Sequence, residues 1–195
     1  MILHVEVYLL KKTDVCPWQV APILLMTVRK PLHNPRKIVG QYITEGMTVL
    51  DIGCGMGYFT IPMAEMVGGS GKVIAADLQP EMLDGLRRNA AKAEVHNIIT
   101  HQCKKNTLAL DDWAGKIDFA LIFWMLHEVP DSERLILEMR SALSDHGVLF
   151  FSEPKFGHVS ADQFKESLDM ITSSGFRITE YPKVTLGRTA LLEKL

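Results

Sequence analysis

Residues 49–60 read Val-Leu-Asp-Ile-Gly-Cys-Gly-Met-Gly-Tyr-Phe-Thr, and this stretch constrains the fold more than any other. An apolar run of strand type carries an acid, Asp51, and passes into glycine at every second position before a segment of helical character begins. Leaving a buried strand and entering a helix within a few residues calls for backbone angles that a Cβ disfavours. A ligand can touch main chain only where side chains are missing. Gly53, Gly55 and Gly57 meet both needs, so the stretch reads as a strand-turn-helix nucleotide site. The dinucleotide fingerprint places its third glycine three residues after the second, where this chain has Tyr58. Asp51 beside the turn would repel a pyrophosphate and attract an ammonium or sulfonium group.

With these residues the sequence resembles the class I S-adenosylmethionine-dependent methyltransferases, whose first motif, acid-x-Gly-x-Gly-x-Gly, matches residues 51–57. Lys72-Val73-Ile74-Ala75-Ala76-Asp77 reads as a second strand ending in an acid about twenty residues beyond the turn, where such folds hold ribose hydroxyls. The resemblance extends from about residue 34 to the C-terminus. It implies an α/β fold: a doubly wound, mostly parallel seven-stranded sheet with helices on both faces and an antiparallel last strand. It further implies S-adenosylmethionine as cofactor, S-adenosylhomocysteine as product, and a cofactor site at Asp51, Gly53, Gly55, Gly57, Tyr58, Asp77, Leu78, Cys103, Lys104 and Phe123. Leu78 is the candidate for packing on the adenine face. Members of the family commonly follow the third strand with an acid that accepts from the adenine amine. This chain has Cys103-Lys104-Lys105 there. A lysine cannot accept that bond, so base recognition is expected from backbone atoms near Cys103 and Lys104.

A chain of 195 residues that is 47% hydrophobic is long enough for one sizeable core and short for two. One domain is expected, with residues 1–33 as an N-terminal extension or cap and 34–195 as the core. Lys and Arg number 21 against 23 Asp and Glu, which leaves no broad basic field to hold nucleic acid. The three cysteines, Cys16, Cys54 and Cys103, form no C-x-x-C pair, so neither a disulfide framework nor a metal site is suggested and a reducing, cytoplasmic setting is expected. No apolar run approaches the ~20 residues of a membrane span.

Alternation over residues 2–10 suggests a half-buried strand, and Pro17, Pro22, Pro31 and Pro35 rule out long helices over residues 11–35. Cys16-Pro17-Trp18 reads as packing, and Arg29, Lys30, His33, Arg36 and Lys37 as a solvated basic face. Asn34-Pro35 opens a helix to about residue 42, and further helices are expected over 58–67, 80–94, from Asp131 through Leu135, Met139 and Leu143, and over 161–174. Strands are expected over 98–103, 117–123, 147–152, 176–181 and 188–194. Gly68-Gly69-Ser70-Gly71-Lys72 is not a phosphate loop, because Met66 and Val73 stand where that motif needs glycine and a hydroxyl.

A sulfonium methyl is already activated, so such an enzyme needs mainly to hold its acceptor in line and exclude water. Where the acceptor must lose a proton, a base is required. His127, Glu128, Glu153 and His158 lie on loops at the ligand edge and are the candidates as a group. The apolar, aromatic and imidazole-bearing segment around Phe123-Trp124-Met125-Leu126 points to a small organic methyl acceptor. An NAD(P)-dependent Rossmann dehydrogenase and a non-catalytic S-adenosylmethionine-binding module are the alternatives.

Overall fold

Near-continuous apolar runs, bounded by turns, become strands buried on both faces. The computed structural model describes residues 32–155 and 159–195. The expected strand over 2–10, the segment around Cys16 and Trp18, Arg29, Lys30 and His158 lie outside the described residues. The described chain opens with α1 (Pro35–Val39), capped by the Asn34 side chain, which accepts from the Lys37 N–H at 3.3 Å. β1 (Thr48–Ile52), α2 (Thr60–Val67), β2 (Lys72–Asp77), α3 (Pro80–Lys92), β3 (Ile98–Gln102) and β4 (Ile117–Phe123) come next. After them come α4 (Ser132–Ala142), β5 (Leu143–Pro154), α5 (Ala161–Ser173), β6 (Phe176–Glu180) and β7 (Gly187–Lys194).

The strands form one seven-stranded sheet in the order β3-β2-β1-β4-β5-β7-β6. β1 pairs in parallel with β2 and β4, β2 with β3, and β4 with β5, while β7 runs antiparallel between β5 and β6. The winding reverses between β1 and β4. That reversal opens a crevice beyond the carboxyl ends of the strands, where open α/β sheets bind their ligands.

Side-chain alternation along each strand divides the core between the two faces. Val49, Phe119, Leu121 and Phe150 pack with Val39 of α1 and Met63 and Val67 of α2. Leu50, Ile122, Leu149 and Phe151 pack with Ile136 and Met139 of α4 and Phe164, Leu168 and Ile171 of α5. Cys54, Ala75, Leu83 and Leu86 form a smaller cluster that seats α3 against the glycine turn. At roughly 1.5–3 kcal/mol for each fully buried large side chain, these layers are the principal stabilising contribution.

Two expected boundaries are corrected. The helix expected from residue 58 begins at Thr60, because Tyr58 is still part of the turn that leaves Gly57. The strand expected from residue 147 begins at Leu143, which pairs with Ile117 instead of ending a helix face. The register then slips before Val148 meets Phe119. Gly147 allows this bulge, since a Cβ there would lie 2.9 Å from the Leu143 Cβ and 3.0 Å from the Ile117 carbonyl.

Candidate active site

The turn after β1 rises into the crevice. Gly53 and Cys54 both donate backbone N–H bonds to the Ala76 carbonyl at 2.9 and 3.1 Å, tying the turn to the end of β2. Gly55 and Gly57 have φ of +51° and +95°, in the left-handed region that L side chains avoid. Their surroundings differ. A Cβ on Gly55 would meet nothing within 4 Å, so its bare main chain faces open space. A Cβ on Gly57 would run into Leu86 Cδ1 of α3.

The third glycine, one residue early for a dinucleotide site, therefore lets α3 close on the turn. α3 completes the fit by dropping its own Cβ at Gly85, where one would lie 2.7 Å from Met56 Cγ, and by an Asn89 Nδ2 bond to the Met56 carbonyl at 3.0 Å. Gly85 and Asn89 are supporting residues that the sequence reading missed. A glycine within an amphipathic helix was the available signal. Gly57→Ala is expected to lower stability by about 2 kcal/mol in urea unfolding, through left-handed strain plus overpacking. Gly55→Ala should cost only about 1 kcal/mol and act instead on cofactor affinity, read by calorimetry.

The two acids sit differently. Asp51, two positions after Val49, shares its face of the strand and so faces α2, where its Oδ2 accepts a 2.6 Å bond from Thr60 Oγ1 in a buried pair. Its charge lies beneath the turn. Asp77 ends β2 at the crevice, its Oδ2 accepting from Gly55 N and its Oδ1 from Gln79 N, both at 2.9 Å. Burial raises the Asp77 pKa, against backbone N–H bonds from Gln79, Gly55 and Leu78 that favour the carboxylate. Each carboxylate oxygen carries a second lone pair beyond the backbone bond.

Leu78 is next in the chain, half-buried. Cys103 is buried and donates its N–H to the Asp77 carbonyl at 2.9 Å, while the exposed Lys104 exchanges backbone bonds with Thr107. Burial, then the charges of Asp77 and Glu138, push the Cys103 thiol up to about 12. Burial, then Asp51 and Asp77, also raise Cys54. Neither thiol carries thiolate character at neutral pH.

On the β4 side the crevice is backed by an aromatic cluster. Phe123 stacks on Trp124 at 5.4 Å and contacts Phe59 at 4.5 Å, and Phe59 meets Tyr58 edge-on at 5.5 Å. Trp124 takes a left-handed φ of +61°, and its backbone N–H donates to the Ser152 carbonyl at 2.8 Å. A bulky residue in that region is a strained conformation of the kind that gathers at functional sites.

His33 corrects the solvated-face reading, being only 2% exposed. Its ring meets Trp124 edge-on at 4.7 Å, its Nε2 bonds to the Thr185 carbonyl at 2.7 Å, and its carbonyl accepts from Tyr58 Oη at 2.9 Å. Short-range charge patterning hid these partners, because Thr185 is 152 positions away.

The loop after Trp124 contains a short 3-10 turn (Leu126–Glu128) that brings His127 against the end of β5. Glu153 accepts twice from one residue: Oε2 lies 2.7 Å from His127 Nδ1 and Oε1 3.1 Å from the His127 N–H. Glu153 is 1% exposed and His127 22%, so the carboxylate is internal and the imidazole reaches the surface. Glu128 Oε1 stands 4.0 Å from His127 Nε2. Burial alone would lower the His127 pKa, but the Glu153 hydrogen bond and the charges of Glu153 and Glu128 outweigh it and raise it above the ordinary value. A carboxylate can only accept, so in the neutral ring Nδ1 carries the proton and Nε2 is the basic nitrogen. Three of the four candidate bases thus meet at the ends of β4 and β5. Among the described residues no cluster of three or more His, Cys, Asp or Glu side chains could hold a metal ion, and no helix is long and apolar enough to cross a membrane.

The sheet order, its reversal at β1 and β4, the bare turn and the acid ending β2 together define a Rossmann-like nucleotide-binding α/β protein. A family model described as a methyltransferase domain matches residues 43–184, and the chain belongs to that family. It is a methyltransferase domain built on a Rossmann-like sheet. A ubiquinone biosynthesis O-methyltransferase of Coxiella burnetii is 31% identical over 129 residues, 63% of this chain and 52% of that protein. A demethylmenaquinone methyltransferase of Listeria monocytogenes is 32% identical over 108 residues, 55% of this chain and 44% of that one. The chain thus spans about half the length of these curated relatives. A crystal structure of a SAM-dependent methyltransferase from Aquifex aeolicus shares the fold with a TM-score of 0.81 at 22% identity, covering 92% of this chain and 98% of that one.

Proposed function

We propose that this chain transfers the methyl group of S-adenosylmethionine to an oxygen of a small organic acceptor with an apolar body, with His127 as general base. The observation that carries this reading is the double hydrogen bond from His127 to the buried Glu153 carboxylate. It holds the ring in the tautomer whose Nε2 can take a proton from an acceptor hydroxyl, and it stabilises the imidazolium that results. Glu128 adds negative charge on the same side. The aromatic cluster suits an apolar body, and the C. burnetii relative named as an O-methyltransferase supports oxygen as the accepting atom.

The residues present fit the cofactor. The open face of Gly55 admits a ligand against main chain, the Asp77 oxygens can accept from ribose hydroxyls, and the buried Asp51, on the strand that leads into the turn, would favour a cationic sulfur over an anionic group. When bound, the cofactor supplies a methyl group activated by its sulfonium centre. What this chain supplies is orientation, exclusion of water and a place for the acceptor proton.

The near-balance of charges argues for a small-molecule partner over nucleic acid, and the free, buried Cys54 and Cys103 suit a reducing cytoplasm. Calorimetry should give binding heat with S-adenosylmethionine and S-adenosylhomocysteine and none with NAD. Incubation with a panel of phenol, catechol, thiol and amine acceptors should give methylated oxygen products. Binding without methylation of any oxygen acceptor would reduce the chain to a cofactor-binding module or move the chemistry to another atom.

A further inference from the structure

The turn between β3 and the run into β4 is fastened from two sides. From its own strand, His101 Nε2 bonds to the Leu108 carbonyl at 2.6 Å, and Lys104 and Thr107 exchange backbone bonds at 3.0 and 3.2 Å. From α4, packed against the same segment, Glu138 gathers the far end. Its Oε2 accepts from Thr107 Oγ1 at 2.8 Å, from Leu108 N at 2.6 Å and from Ala109 N at 3.3 Å, while Oε1 accepts from Arg134 Nε at 3.0 Å. Ala109 is held at φ +53°, a conformation that an alanine avoids without such restraint. Burial alone would raise the Glu138 pKa, but the bonds from Thr107, Arg134, Leu108 and Ala109 lower it, so these donors meet a full carboxylate at neutral pH.

The location matters because of strand order. β1, β2 and β3 lie side by side, roughly 5 Å apart, and they deliver to one edge the glycine turn, then Asp77, then Cys103. By strand order, a nucleoside whose sugar were held at Asp77 would have the turn of residues 103–109 beside it on the β3 side. Cys103 is joined directly to Asp77 through the N–H bond to the Asp77 carbonyl. No acidic side chain follows β3 to accept from an exocyclic amine, since Lys104 and Lys105 occupy that place. The backbone of the turn is then the recognition element, and its selectivity depends on where its carbonyl and N–H groups are held.

We infer that Glu138 is a positioning residue for base recognition, fixing the turn of residues 103–109 so that its backbone distinguishes a 6-amino purine from a 6-oxo purine. This rests on the cofactor reading above and deepens it. Glu138 lies on α4, the helix that directly follows the loop carrying His127 and Glu128.

The test is calorimetry on the full chain with S-adenosylhomocysteine and S-inosylhomocysteine, which differ at the 6-position of the base. The wild type should prefer the adenosyl ligand by about tenfold, the value of one well-placed hydrogen bond. Glu138→Ala should bring the preference to within about twofold and speed hydrogen exchange at the Leu108 and Ala109 amides. Glu138→Gln keeps an acceptor oxygen without the charge and should fall between. If the alanine variant does not fold, the glutamine variant decides. Arg134→Ala, which removes only the contact to the outer oxygen, should leave the preference unchanged. A simple loss of stability would weaken both ligands in proportion and leave their ratio alone. A wild-type preference retained in both Glu138 variants would overturn the inference, as would a wild type without preference. A wild type that binds neither ligand overturns the cofactor reading and this inference with it.

Discussion

Glu153→Gln is expected to lower kcat by about 10²–10⁴-fold while leaving S-adenosylhomocysteine affinity within about threefold of wild type. The glutamine amide can donate as well as accept, so the imidazole is free to adopt the tautomer with its proton on Nε2, where it cannot serve as a base. The pH profile separates this from a packing defect. In the wild type the His127 pKa lies above its ordinary value, so activity falls as pH drops through that raised pKa and the base becomes protonated. Removing the Glu153 charge takes away the hydrogen bond and the first of the charges that oppose burial, and the acid limb should move to lower pH even as the plateau falls. The same linkage bears on stability. A histidine whose folded pKa is raised stabilises the native state fully below the unfolded pKa and loses that contribution as pH rises through the folded pKa. Urea unfolding of the wild type should therefore retain this contribution at mildly acidic pH and lose it on the alkaline side, a difference absent in Glu153→Gln. Loss of cofactor affinity equal to the loss of kcat would reassign the dyad to structure.

Asp77→Ala is expected to weaken S-adenosylhomocysteine binding by roughly 100-fold, since charge-assisted hydrogen bonds are worth about 1.5–3 kcal/mol each before water compensates. Part of the loss is indirect, because the carboxylate also holds Gly55 N at 2.9 Å and so shapes the turn. Analogues lacking the 2′- or 3′-hydroxyl separate the two contributions. The wild type should bind them more weakly than the parent, and the alanine variant should not distinguish them. Affinity in the wild type should also decline as pH falls through the Asp77 pKa, which burial holds above the ordinary carboxylate value, because the protonated acid loses acceptor capacity. An alanine variant that binds as the wild type does would remove Asp77 from the ribose site.

The elements most legible in the sequence are those whose physics is local. The apolar run of residues 117–123 needs both faces covered wherever it lies, and it is a central strand of the sheet. Asn34 and Asp131 were readable as caps because capping joins residues three positions apart, and both side chains accept from the third following N–H. Helix and strand ends were less legible where tertiary contacts extend or delay them, as at Thr60 and Leu143. His33 was misread for a related reason. Its neighbours in sequence are basic, but its partners are Thr185, Tyr58 and Trp124.

The sequence by itself determined that a strand would end in a bare turn with an acid on either side of the nucleotide path, because strand periodicity and glycine spacing operate within a dozen residues. Only the tertiary structure decided what those acids do: Asp51 turns inward to Thr60 and Asp77 holds the turn. It likewise decided that His127 and Glu153, 26 positions apart, become one proton-handling unit. That pairing arises because β4 and β5 lie side by side with Phe123 against Ser152, a register chosen by the packing of two sheet faces and written in no single stretch of chain.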